Sequence, residues 1–66
     1  MKDKYVLDGW YFLGWRILGT YPNKKLAIDA GRRIMRKNAA ARCRVVHFKW
    51  NKLQKYFTEL KPFNVK

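Results

Sequence analysis

Residues Leu18–Asn38, LGTYPNKKLAIDAGRRIMRKN, decide the fold. Leu18-Gly19-Thr20-Tyr21 reads as the end of a strand. Pro22 stops it, because proline has no amide to donate and restricts the residue before it. Asn23 then suits a helix N-cap, since its side-chain oxygen can accept from a free amide of the first turn. The spacing predicts a helix to about Lys37, closed by Asn38 in the left-handed region. At about 100° per residue, Leu26, Ala27, Ala30 and Ile34 share one arc, widened by Ile28, Gly31 and Met35. Lys25, Asp29, Arg32 and Arg36 fall opposite, with Arg33 at the edge. One side of this helix needs burying and the other is positively charged.

The flanks read as strands. Tyr5-Val6-Leu7 is β-prone, and the residues after it fit two registers. In one, Asp8-Gly9 is a two-residue hairpin turn and Trp10–Leu13 returns from it. In the other, residues 4–12 form one strand that turns at Leu13-Gly14 and pairs with 15–21. Beyond the helix, Arg42–Trp50 is rich in β-branched and aromatic residues. Its imperfect alternation calls for a bulge, or for a strand covered on both faces at its middle. Residues 53–60 fit either a short helix capped by Asn51 or a hairpin across Asn51-Lys52, and the hairpin completes a sheet. Pro62 ends that element, leaving residues 62–66 as a flexible tail. The expected fold is a single α+β domain over 1–66, a small antiparallel sheet with the amphipathic basic helix packed across it.

Charge points to function. Sixteen Lys and Arg against four Asp and Glu give +12 on 66 residues, and the self-repulsion implies an anionic partner. Residues 24–44 hold eight of the cations and one acid. A hydrophobic fraction of 48% still marks a folding chain rather than a disordered one. No uncharged run exceeds seven residues, as in Gly9–Trp15, which is too short to span a membrane. No signal-peptide core follows the N-terminus, so the expectation is a cytoplasmic protein.

The motif Leu18-Gly19-Thr20-Tyr21-Pro22, followed by Leu26-Ala27 and a helix rich in Ala and Arg, resembles the arm-type DNA-binding domain at the N-terminus of phage and island tyrosine integrases. A similar strand–turn–helix pattern occurs in plant ethylene-response-type DNA-binding domains. The resemblance covers Leu18–Lys37 and implies a sheet–helix module of DNA-binding type from a phage or mobile element, with Trp15 and Arg16 on the sheet that enters the groove. The chain departs from the integrase pattern in its aromatic, nearly uncharged Tyr5–Leu13 segment and in its Arg42–Trp50 strand. It has no room for a recombinase domain.

Enzymatic chemistry is not expected. Asp3, Asp8, Asp29 and Glu59 are scattered along the chain, and Lys25, Arg32 or Arg33 can occupy Asp29 from one turn away. Cys43 and His47 share strand parity, yet four residues of strand separate them by about 13 Å. Two ligands are too few for structural zinc, and no cofactor is expected. The candidate nucleic-acid-binding set is Lys25, Arg32, Arg33 and Arg36 of the helix, Arg42 and Arg44 of the next strand, and Trp15 and Arg16 before it. The rival reading is a phage-type inhibitor or adaptor that docks on an acidic protein surface. Because the helix offers mainly small residues to the sheet, at least two of the 11 aromatic rings should stay exposed. A homodimer through an exposed sheet face or edge fits either reading. Attachment to anionic lipid fits less well, as the helix lacks large aromatics on its apolar side.

Overall fold

The computed structural model describes residues 3–11, 14–38 and 40–65. Strands β1 (Lys4–Tyr11) and β2 (Gly14–Tyr21) precede helix α1 (Lys24–Arg36), and β3 (Arg42–Asn51), β4 (Tyr56–Glu59) and β5 (Phe63–Asn64) come after it. The strands form one sheet in the order β2-β1-β3-β4, with β5 also on β3, and every pairing is antiparallel. The class is α+β, with one helix among the described residues, lying across one side of the sheet.

Asn23 caps α1 as its position predicts: its Oδ1 accepts the Leu26 amide at 2.9 Å. The far end closes with Asn38 at φ 56°, its amide donating to the Met35 carbonyl. The helix meets the sheet through Ala27 and Gly31, both buried. Small residues there let it sit low. A Cβ on Gly31 would lie 3.1 Å from Leu7 Cδ1 and 3.2 Å from Val65 Cγ2. Leu26, expected on the apolar arc, instead lies to the side and is 46% exposed, because the contact line is centred on Ala27 and Gly31. Leu7, Ala27, Ala40, Cys43, Val45 and Val65 make the core between helix and sheet.

The Asp8-Gly9 turn does not occur, and β1 is the longer strand of the other register. Gly14, expected in the turn of that register, pairs with Tyr11 inside β2, and Phe12 and Leu13 lie outside the described residues. Asp8 and Gly9 both lie inside β1, where Asp8 pairs with Arg44 and Gly9 with Cys43 across β3. Asp8 binds the Arg44 guanidinium at 3.1 Å, an interaction that a tight turn would forfeit. Gly9 serves a close approach instead, since a Cβ there would stand 2.6 Å from Leu18 Cδ1. Leu18 is the extra residue of a β-bulge: Leu7 pairs with Gly19, but Asp8 pairs with Ile17. One inserted residue reverses the parity of β2. Gly19 and Tyr21 therefore lie on the helix side, while Trp15 and Ile17 lie on the opposite face.

In β3 the middle is covered on both faces, Val45 and Val46 each being 2% exposed. The C-terminal hairpin is the strand alternative, but it turns later than Asn51-Lys52. Asn51 Oδ1 accepts the amides of Leu53 and Gln54, and Lys55 takes φ 54°, so residues 52–55 make the turn. The flexible tail expected at 62–66 is corrected over its described residues. Phe63 and Asn64 pair with Val45 and Arg44, the Val65 amide donates to the Cys43 carbonyl, and Val65 is buried beneath Gly31. Because β1 holds the other edge of β3, β4 and β5 continue along the same free edge, broken at Pro62.

Two substitutions probe this arrangement. Asn23→Ala should cost about 1 kcal/mol, lowering the thermal midpoint by about 4–8 °C in a chain this small. Gly31→Leu should cost about 1–3 kcal/mol through overpacking, despite leucine's better helix propensity. Thermal unfolding followed by circular dichroism measures both, and a Gly31→Leu chain as stable as wild type would contradict the close seating of α1.

Candidate nucleic-acid interface

The eight residues singled out from the sequence do not form one patch. Lys25, Arg32, Arg33 and Arg36 lie along the outward side of α1. Arg16 pairs with Gly9 and so belongs to the helix side of edge strand β2. Trp15, Arg42 and Arg44 lie on the other face of the sheet, beneath which the described residues place no helix or second sheet. The candidate set is thereby divided between the two sides of the sheet. Arg42 and Arg44 share the parity of Val46, opposite that of Cys43 and Val45, against which the helix packs.

The helix side is the strongly basic one. Along α1 and its C-cap stand Lys24, Lys25, Arg32, Arg33, Arg36 and Lys37, with Asp29 the one acid among them. Lys24 leans over the Phe63 ring, its Nζ 3.9 Å from the centroid. The buried Ala27–Gly31 stripe fixes this row of cations, since the helix cannot rotate without lifting off Leu7 and Val65.

The open face is aromatic, and its cations are largely engaged within the chain. Pairing across the strands sets Trp15, Trp10 and Arg42 in one row, with Ile17, Asp8 and Arg44 in the next. Val6 and Val46 occupy the middle, then Lys4, Phe48 and Glu59, and Trp50 and Phe57 close the far end. Trp10 and Trp15 meet edge to face with centroids 5.2 Å apart, and the Arg44 guanidinium lies 4.2 Å from the Trp15 centroid. Asp8 holds that guanidinium from the side. At the other end Trp50 and Phe57 are tilted together at 4.9 Å, with Lys4 Nζ 4.6 Å from the Phe57 centroid. Ile17 is 73% exposed, Trp10 41% and Trp15 37%. Lys4, Asp8, Ile17, Trp50 and Phe57 escaped the sequence reading. The signal lay in β1, where Lys4, Asp8 and Trp10 share one parity, but it was legible only with β1 read as a single strand.

Asp3 also escaped it. Just before β1, its Oδ1 accepts the Trp50 amide at 2.8 Å and its Oδ2 lies 3.0 Å from His47 Nε2. These bonds, the Trp50 amide first, hold the carboxyl below the ordinary aspartate value of 3.8. His47 is stacked on Tyr5 with centroids 4.4 Å apart, so the imidazole is a fixed part of the sheet end. Cys43, on the same face of β3, is 2% exposed. Burial pushes its thiol up, away from the reactive thiolate. Among the described residues no group of three or more His, Cys, Asp or Glu could hold a metal ion. No helix among them is long and apolar enough to cross a membrane.

Comparison with known proteins adds no relative: no family model, no curated protein and no solved structure matches the chain.

The Asp3 tether makes a prediction about acid. A carboxyl whose pKa is lowered by folding contributes stability that is present above its unfolded value and lost as pH falls through the folded one. Wild type should therefore lose stability below about pH 4, and Asp3→Asn should be less stable at pH 6 with a flatter profile below about pH 4. Denaturant titrations across that range measure it, and parallel profiles for the two chains would contradict the role given to Asp3.

Proposed function

We propose that this chain is a small, non-enzymatic nucleic-acid-binding protein that contacts phosphates through the outward side of α1. One observation carries the reading: a closely seated helix and its C-cap hold six cations around a single acid, on a chain of +12. A solvated surface selected only for solubility mixes both signs, and this one does not. Lys25, Arg32, Arg33 and Arg36 are the principal contacts, with Lys24 and Lys37 beside them. Arg16, on the same side of the sheet, extends the positive field. Trp15, Arg42 and Arg44 contribute to a different surface. The preference for DNA over RNA, and an origin in a phage or mobile element, rest on the resemblance of Leu18–Lys37 to the integrase arm-type domain. Affinity comes mainly from counterion release, and no base-reading side chain is assigned.

A second reading, a protein-binding module, is favoured by the open face, where apolar rings and Ile17 surround charges that nearly cancel. Such a surface suits a protein contact better than a polyanion. The two readings concern opposite sides of the sheet and are compatible in one molecule.

Titration against duplex and single-stranded oligonucleotides at several salt concentrations tests the first reading. With about four to six phosphates neutralised, log affinity for duplex should fall against log salt with a slope of roughly −4 to −5. The Lys25→Ala, Arg36→Ala double variant should flatten that slope by roughly 2 units. A salt-independent affinity, or one untouched by the double variant, would rule out the helix as the phosphate contact.

A further inference from the structure

We infer that the open sheet face is the contact surface of a twofold dimer of this chain, which leaves two basic helices facing outward on opposite sides. The dimer itself stands on the sheet face alone. Its consequence, a particle able to hold two nucleic-acid segments at once, rests on α1 being the phosphate contact.

Three observations select a second copy as the occupant. The first is charge. A molecule of +12 repels its own kind over most of its surface, so self-association needs a region where the charges cancel. On the open face the described charged residues are Lys4, Arg42 and Arg44 against Asp8 and Glu59, and Asp8 is already bound to Arg44 at 3.1 Å. The helix side, with six cations to one acid along α1 and its C-cap, is where a polyanion would go instead.

The second is the state of the rings. Base stacking needs free ring faces. Trp15 already carries the Arg44 guanidinium and meets Trp10 at a steep angle, while Phe57 carries the Lys4 ammonium and leans on Trp50. Exposed beside these pairs are Ile17 at 73%, Trp10 and Trp15, with Arg42, Thr20 and Glu59 around them. That is the chemistry of a protein contact.

The third is size and need. From Arg42 to Trp50 the face runs about eight residues, or about 26 Å, and about four strands make it about 19 Å wide at its broadest. Averaging about three strands, or about 14 Å, along that length, each copy offers about 370 Å² and a pair buries about 750 Å², the size of a weak, concentration-dependent contact. Among the described residues, the largest side chains wholly shielded from solvent are Leu7, Val45 and Cys43, with no aromatic ring among them. On the open face Val6 and Val46 are already buried, so a second layer would close over the rings and Ile17 around them, and chains this small often obtain such a layer by oligomerising. Packed face to face, two copies bury their rings between the sheets at a spacing of about 10 Å. The helices can then lie only outside.

Sedimentation velocity of the full chain in high salt, from low micromolar to about 0.5 mM, a range that brackets weak dimers, tests the association. Wild type should move from 8.0 kDa towards twice that mass as concentration rises. Ile17→Lys should weaken association at least tenfold, whereas Leu53→Lys, the same charge change at a turn residue 94% exposed, should leave it intact. Circular dichroism of the variants checks that each remains folded. A chain that stays monomeric throughout overturns the proposal. So does a dimer that survives Ile17→Lys, or a monomer whose single-strand binding is lost with Trp10→Ala, which would give the face to bases. Bridging is read by capture of a labelled duplex on beads carrying a second duplex. Wild type should capture it, and Ile17→Lys should lose capture while still binding one duplex. A dimer that binds no duplex at all would remove the phosphate-contact role of α1 and leave the sheet contact standing.

Discussion

The close approach of α1 to the sheet, through Ala27 and Gly31, is the constraint on which the rest of the molecule depends. Small residues bring the helix backbone down onto Leu7, Cys43 and Val65, and the gap left is too narrow for large rings. Those rings must go elsewhere. Tyr5, Tyr11 and Tyr21 pack at the margins of the core, and Trp10, Trp15, Phe48, Trp50 and Phe57 lie on the opposite face. A helix with Leu or Phe at positions 27 and 31 would have stood higher and drawn more aromatic surface under it. Here the molecule is thin, 16 Å in its shortest Cα dimension, with one side charged and the other aromatic.

The two sides handle charge in opposite ways. On the helix side cations accumulate with little to offset them, which raises the field that a polyanion meets. On the sheet side Arg44 and Lys4 have local uses. Arg44 joins Asp8 to Trp15, and Lys4 spans Phe48 and Phe57. Individually such cation–ring contacts are worth about 0.5–1 kcal/mol at exposed positions. Their structural effect is larger than that figure suggests, because they keep two ring clusters in fixed places at the two ends of an otherwise flat face.

The strand ends are secured by side chains as well as by the ladder. Asp3 accepts the Trp50 amide where β3 outruns β1, and Asn51 folds the next turn by accepting two amides. Along the free edge of β3, β4 and β5 supply pairing on either side of Pro62, and the Leu60 amide reaches the His47 carbonyl between them. This broken partner covers an edge that would otherwise invite pairing with other chains.

Read alone, the sequence determined the local elements: the stop at Tyr21-Pro22, the Asn23 cap, the sides of α1, the left-handed Asn38 and a strand over most of Arg42–Asn51. Each depends on neighbours within one helical turn or on a period of two or 3.6, which a linear string displays. It also showed that small helix residues would leave rings exposed, since packing distance depends on side-chain size. Tertiary structure alone decided that Asp8-Gly9 runs straight, because Arg44 lies 36 residues away in sequence and Leu18 fills the space above the glycine. It decided the side on which Trp15 and Ile17 fall, because the bulge at Leu18 reverses parity and appears only when β2 is aligned against β1. The basic residues of α1 and the arginines of β3, neighbours in sequence, likewise divide between two sides of the sheet. Consecutive elements can be neighbours along the chain and still point their side chains to opposite sides of a sheet.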